Sequence, residues 1–143
     1  MRTYIFTITA AVLACSAAAA AQTPEAVLSG PKAVRALDFI RSVEAETIAE
    51  QIKTCEIPAP PFKEQVRAAY YKQRFTELGL RNVRIDREGN VIGERPGTGG
   101  GRTLALVAHL DTVFPEGTDV RVKRDGTVLT GPGIGDNCRG LAV

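Results

Sequence analysis

The stretch that decides the fold is residues 103–113, which read TLALVAHLDTV. After the opening threonine the run is apolar as far as residue 108, with no alternation of polar and apolar positions. Such a run is typical of a strand whose two faces are both covered within a sheet. The sequence therefore predicts a buried strand over residues 103–108, with the single histidine of the chain, His109, at its carboxyl end.

Helical patterns precede this strand. Apolar residues recur every three or four positions over residues 32–55, which predicts one helix or two. The prolines at positions 58, 60 and 61 end that pattern, and a further helix is predicted from residue 61 or 62 to Leu78. Gly79 follows this helix as its expected left-handed C-cap.

Hairpin patterns lie on either side of the strand. Alternation with a period of two predicts hairpins over residues 83–92 and 120–130, and the second is expected to turn at Asp125 and Gly126. The predicted order of elements is helices first, followed by a buried strand with hairpins. This order predicts an α/β fold in which helices cover a mixed sheet.

The composition excludes several classes of protein. The chain has 143 residues, 44% of them hydrophobic and 24% charged, which is typical of one small globular domain and not of a disordered chain. Lys and Arg number 18 against 16 Asp and Glu, so there is no basic surplus and we expect no nucleic-acid partner. Cys55 and Cys138 are predicted to be small buried residues, and their pairing cannot be read from the sequence.

The first residues predict export. Residues 1–21 combine Arg2, an apolar middle and a close of small residues, which is the layout of a cleaved signal peptide for a periplasmic or secreted protein. A membrane anchor is disfavoured because the run is short and rich in alanine, and lipidation at Cys15 is disfavoured because the alanines continue past it. We therefore expect residues 22–31 to be a leader, residues 32–143 a folded domain, and no membrane span after cleavage.

Two short motifs contain side chains that could bind a metal ion. His109 and Asp111 lie on the same side of the predicted strand end, where a carboxylate can orient a histidine that binds metal. A hydrogen-bonded structural histidine is the alternative. Asp136 lies in the glycine-rich stretch GPGIGDN, residues 131–137, either as a metal ligand or as a helix N-cap. A dinucleotide-binding loop matches poorly, because Asp136 occupies the position of its third glycine.

Together the motifs AHLDTV, residues 108–113, and GPGIGD, residues 131–136, resemble those of the M-twenty peptidase family. This family includes enzymes of the carboxypeptidase G, aminoacylase and succinyl-diaminopimelate desuccinylase types. The resemblance extends over residues 57–143 and implies the N-terminal part of an α/β/α zinc-peptidase catalytic domain. Where the family commonly has Lys-Gly-Gly after the aspartate, this chain has Cys138, Arg139 and Gly140.

The resemblance also implies roles for the three site residues. His109 would bind one zinc ion, Asp136 would bridge two zinc ions, and Asp111 would support catalysis by orienting His109. A cis peptide bond would follow Asp136, and Cys138 is not expected to bind the metal. The implied activity is that of a metallopeptidase or amide hydrolase, in which zinc-activated water attacks a peptide or an N-acyl amino acid.

Further parts of such a site are not found in this sequence. The general base, the remaining ligands and the lid or dimerisation domain of the family all follow the bridging aspartate. We therefore expect an N-terminal piece of a longer peptidase that is inactive alone and forms a homodimer only when complete. The alternatives are a non-catalytic secreted binding domain with a degenerate metal site and, third, a dinucleotide-binding domain.

Overall fold

The computed structural model describes residues 23–143, so the predicted signal peptide over residues 1–21 lies outside the described residues. The chain divides into two units, Met1–Phe39 and Ile40–Val143. No helix in the described part of the chain is long and apolar enough to cross a membrane.

The first unit contains helix α1 (Pro24–Leu28) and the beginning of helix α2 (Pro31–Ser42). Helix α1 lies within residues 22–31, whose assignment as a leader stays a prediction. Its proline occupies the first turn, where no backbone donor is needed, and the Thr23 side chain accepts a hydrogen bond of 3.3 Å from the Ala26 amide.

The second unit contains the end of α2 and two further long helices, the first of which is α3 (Glu44–Cys55). The helical pattern over residues 32–55 therefore resolves into α2 and α3. Helix α4 (Gln65–Glu77) begins later than predicted because the Lys63 amide donates to the Pro60 carbonyl and closes a turn instead. The predicted C-cap is confirmed. Gly79 has φ 72°, and the Leu80 amide donates across it to the Phe75 carbonyl, as in a Schellman motif.

Both predicted hairpins form, each as a separate antiparallel pair. Strand β1 (Arg81–Ile85) pairs with β2 (Val91–Glu94), with Ile85 opposite Val91. Strand β3 (Lys123–Asp125) pairs with β4 (Val128–Thr130) and begins three residues later than predicted. Gly126 has φ 58° at the first central position of this second turn, a conformation that glycine adopts without steric cost.

The predicted buried strand over residues 103–108 is wrong for this structure. The segment forms no strand, and Leu104, Leu106 and Val107 are 81%, 89% and 90% exposed. A strand needs hydrogen-bonding neighbours at its edges and apolar layers on its faces, and residues 23–143 supply neither here. The described chain is thus a mixed helix and strand α/β chain with two small sheets, without the expected mixed sheet.

The core lies where α3 and α4 meet the last helix, α5 (Cys138–Ala142). Cys55 and Cys138 are both fully buried and free, which confirms their predicted burial. The Tyr71 hydroxyl donates to the Leu141 carbonyl at 3.0 Å and lies 2.9 Å from the Thr54 hydroxyl, which is also buried. Buried side chains that carry polar groups therefore connect all three helices.

Candidate metal site

The segment that carries His109 is held by buried groups on both sides. Arg67 of α4 is fully buried, and its two terminal nitrogens donate to the carbonyls of Leu110 and Ile57, each at 2.6 Å. The Thr112 amide donates to the Ala59 carbonyl at 2.8 Å. These bonds fix the backbone on both sides of Asp111, although the segment forms no strand.

The glycine-rich loop that carries Asp136 is fixed in a similar way. Buried Gln51 of α3 donates from its amide nitrogen to the Ile134 carbonyl at 2.8 Å. Gly133 has φ 78°, and a Cβ at this position would lie 2.7 Å from the Thr112 methyl group. Only glycine fits this contact, so the loop packs directly against the His109 segment. The peptide bond from Asp136 to Asn137 is cis, as the resemblance implied.

The structure brings together all three predicted site residues. The His109 imidazole lies between two carboxylates, with Nδ1 3.1 Å from Asp111 Oδ1 and Nε2 2.8 Å from Asp136 Oδ1. The Asp111 carbonyl oxygen also lies 3.0 Å from Nδ1. The side chains of His109 and Asp111 are about half-exposed, whereas that of Asp136 is 87% exposed.

The two carboxylates raise the pKa of this histidine in the absence of metal. The hydrogen bond to Asp136 is the main cause that raises the pKa of His109 above its ordinary value, and the hydrogen bond to Asp111 adds to it. Partial burial opposes both effects. An imidazolium can donate from both nitrogens, so the metal-free site favours the protonated form.

The donor atoms of His109 and Asp136 suit zinc. An imidazole nitrogen and a carboxylate oxygen each bind zinc at roughly 2.0–2.2 Å, so two such atoms already in contact can share one ion after a small movement. Asp111 contacts the other ring nitrogen, where a carboxylate fixes the tautomer of a metal-bound histidine. The donors fit in type but not in number, because Asp111 contacts the ring nitrogen that faces away from the ion and no set of three or more His, Cys, Asp or Glu within residues 23–143 could hold a metal.

Sequence reasoning did not identify Arg67 as part of this site. The signal that could have found it is its position four residues before Tyr71, on the face of α4 that is buried. A charged residue at a buried helical position needs polar partners, and here they are the backbone carbonyls beside the site.

No protein-family model matches this chain, and no curated protein matches it. The features that favour metal chemistry are therefore the two motifs and the contacts among His109, Asp111 and Asp136.

Proposed function

We propose that this chain contributes metal-binding residues to a zinc-dependent amide hydrolase, an exopeptidase or a deacylase acting on peptides or N-acyl amino acids. The observation that carries the proposal is the position of His109, whose two ring nitrogens each contact a different carboxylate. Such an arrangement suits a metal-binding histidine that one carboxylate orients while the other shares the ion. Export to an oxidising compartment, which the signal-like residues 1–21 predict, is part of the proposal.

Each residue has a distinct role. His109 would hold zinc through Nε2 and Asp136 through a carboxylate oxygen, in place of their mutual hydrogen bond. Asp111 would keep the proton of His109 on Nδ1 and so present Nε2 to the metal. The high exposure of Asp136 leaves its carboxylate accessible to a second ion. When bound, zinc supplies Lewis-acid chemistry, which polarises an amide carbonyl and lowers the pKa of water.

Turnover needs more groups than His109, Asp111 and Asp136 supply. A catalytic zinc ion usually has about three protein ligands and an open position, and amide hydrolysis also needs a general base. The second candidate function, a non-catalytic binding domain with a degenerate metal site, is favoured because no group of three or more potential ligands able to hold a metal is found within residues 23–143. The two candidates predict the same metal-binding residues and differ in turnover.

Metal binding by the chain itself tests the ligand assignment. We expect zinc calorimetry to show weak binding that His109→Ala and Asp136→Ala abolish. Asp111→Asn should weaken binding by roughly 10–100-fold without abolishing it, because it disturbs the orientation of His109 and not a ligand. Asp119→Asn is the matched control, since this exposed carboxylate pairs with Arg121 and not with His109. Unchanged zinc binding in His109→Ala and Asp136→Ala would exclude the assignment.

Hydrolysis tests the choice between enzyme and binding domain. In a protein with a complete site, His109→Ala and Asp136→Ala should lose zinc and hydrolysis of peptides or N-acyl amino acids together. Asp111→Asn should keep some zinc with a much lower rate. Zinc binding without hydrolysis of either substrate class would favour the binding domain instead.

A further inference from the structure

Two buried thiols lie beside the candidate metal site and take no part in its proposed chemistry. Cys55 is the last residue of α3 and Cys138 is the first residue of α5. Both are fully buried and free, and their thiols lie next to each other in the core. Neighbouring thiols in a dry core can form a disulfide when their Cα atoms lie within about 7 Å of each other.

The same turn anchors both cysteines. The Cys55 thiol donates to the Pro132 carbonyl at 3.2 Å, and the Cys138 amide donates to the carbonyl of the next residue, Gly133, also at 3.2 Å. The two cysteines therefore bond to the carbonyls of two adjacent residues, and the helices that carry them, α3 and α5, pack against each other. These backbone contacts hold the cysteines together independently of the contact between the thiols.

We propose that Cys55 and Cys138 are a disulfide site, which cross-links the end of α3 to the start of α5. The oxidant is a low-molecular-weight disulfide such as oxidised glutathione. One cysteine thiolate attacks a sulfur of this oxidant and releases one glutathione thiol, leaving a mixed disulfide on the protein. The second cysteine then attacks the protein sulfur and displaces the other glutathione. The two protein thiols lose two protons and two electrons, and the oxidant gains both.

Burial determines when the exchange takes place and which product forms. In the folded chain both thiols are inaccessible, so the exchange occurs during folding, before α3 and α5 pack. A mixed disulfide at either cysteine would place a glutathione molecule in a close-packed core. The folded state therefore selects the intramolecular disulfide over the mixed one.

The cross-link has a structural consequence for the loop that carries Asp136. The disulfide would close a loop of more than eighty residues and join the chain two residues after Asp136 to helix α3. Such closure restricts the unfolded chain and raises the Tm by roughly 10 °C. The proposal does not depend on zinc binding or on hydrolysis.

Refolding in a glutathione buffer tests the proposal on the full chain. After unfolding in urea, the protein is refolded with reduced and oxidised glutathione, alkylated and digested with trypsin without reduction. We expect a linked pair of peptides, residues 54–63 and residues 125–139, that separates on reduction. The Tm should fall on reduction in the wild type and should not respond to reductant in the Cys55→Ala and Cys138→Ala double variant.

Three outcomes would overturn the proposal. They are two freely alkylated thiols after refolding, a stable glutathione adduct on either cysteine, or a disulfide that joins one of them to Cys15. Because the peptide map uses the wild-type chain, the result remains decisive even where the double variant fails to fold. A Cys15→Ser variant, which keeps both buried cysteines, should give the same linked peptides.

Discussion

Hydrophobic residues are usually buried and polar residues exposed, but two regions of this chain show the opposite. They are residues 103–108 and the core where α3 and α4 meet α5. The first segment is almost wholly apolar and highly exposed, whereas the core includes Thr54 and Arg67, both fully buried. An apolar segment is buried only where other elements cover it, and residues 23–143 do not cover this one. A polar side chain can be buried where hydrogen-bond partners replace water.

The partners of the buried polar groups are mostly backbone carbonyls. Arg67 contacts two of them and Tyr71 a third, and the Arg67 Nε is the one buried side-chain nitrogen or oxygen without a partner in the described part of the chain. Arg67 also forms no ion pair with any carboxylate described between residues 23 and 143. Arg67 therefore connects two backbone segments through their carbonyls. In the part of the chain that the structure describes, residues 103–108 have no comparable buried side chain that holds them.

The largest expected effect comes from removal of this guanidinium. Arg67→Met should lower the free energy of unfolding by about 3 kcal/mol, because two charge-assisted hydrogen bonds are lost and two carbonyls lose their donor. Urea unfolding measures the change. The matched control is Arg121→Met, an exposed arginine whose replacement should leave stability unchanged. Wild-type stability in Arg67→Met would mean that release of a buried charge offsets the lost bonds.

The next effect concerns the contact between the two motif segments. Gly133→Ala should cost about 2 kcal/mol, because a Cβ would meet the Thr112 methyl group at 2.7 Å and because φ is 78°. Gly135→Ala, two residues along the same loop, meets nothing within 4 Å and should have little effect. Thermal unfolding of both variants tests this difference. Equal losses would show that the loop does not depend on its contact with Thr112.

The sequence predicted local structure well. The hairpin at Gly126, the C-cap at Gly79 and the burial of both cysteines all depend on neighbouring residues or on a single side chain. The strand over residues 103–108 could not be predicted in the same way, because a strand exists only with neighbours that its own sequence does not contain. Hydrophobic pattern predicts which residues favour burial, but not whether anything covers them.

The two motifs singled out His109, Asp111 and Asp136, and the structure brings these side chains together. Their role in binding metal stays a prediction, and the groups that support them could not be predicted. Arg67 lies more than forty residues before His109, and no local pattern connects a helix residue with a distant carbonyl. The support of a site by backbone contacts is visible only in three dimensions.

A smaller effect distinguishes the half-exposed site from the core by its response to pH. In metal-free protein the raised pKa of His109 stabilises the fold below its ordinary pKa of 6.5, and this contribution is lost as pH rises through the raised value. The Tm difference between wild type and Asp136→Asn should therefore shrink from pH 6 to pH 8 in the presence of a chelator. Asp119→Asn should show a difference that is constant with pH over this range, since Arg121 does not titrate there. A constant difference for Asp136→Asn would contradict the assigned contact.

The smallest expected effect is in residues 103–108. Leu106→Lys should change the free energy of unfolding by less than about 0.5 kcal/mol, because the side chain is 89% exposed and loses almost no packing. Ala68→Lys, in the core on α4, should be strongly destabilising because it buries a charge without a partner. The same Leu106 substitution should reduce aggregation, measured by light scattering, because an uncharged apolar segment in an extended chain pairs readily with other copies. A loss above 1 kcal/mol in Leu106→Lys would mean that the segment is packed in solution, and the contrast with the core would then disappear.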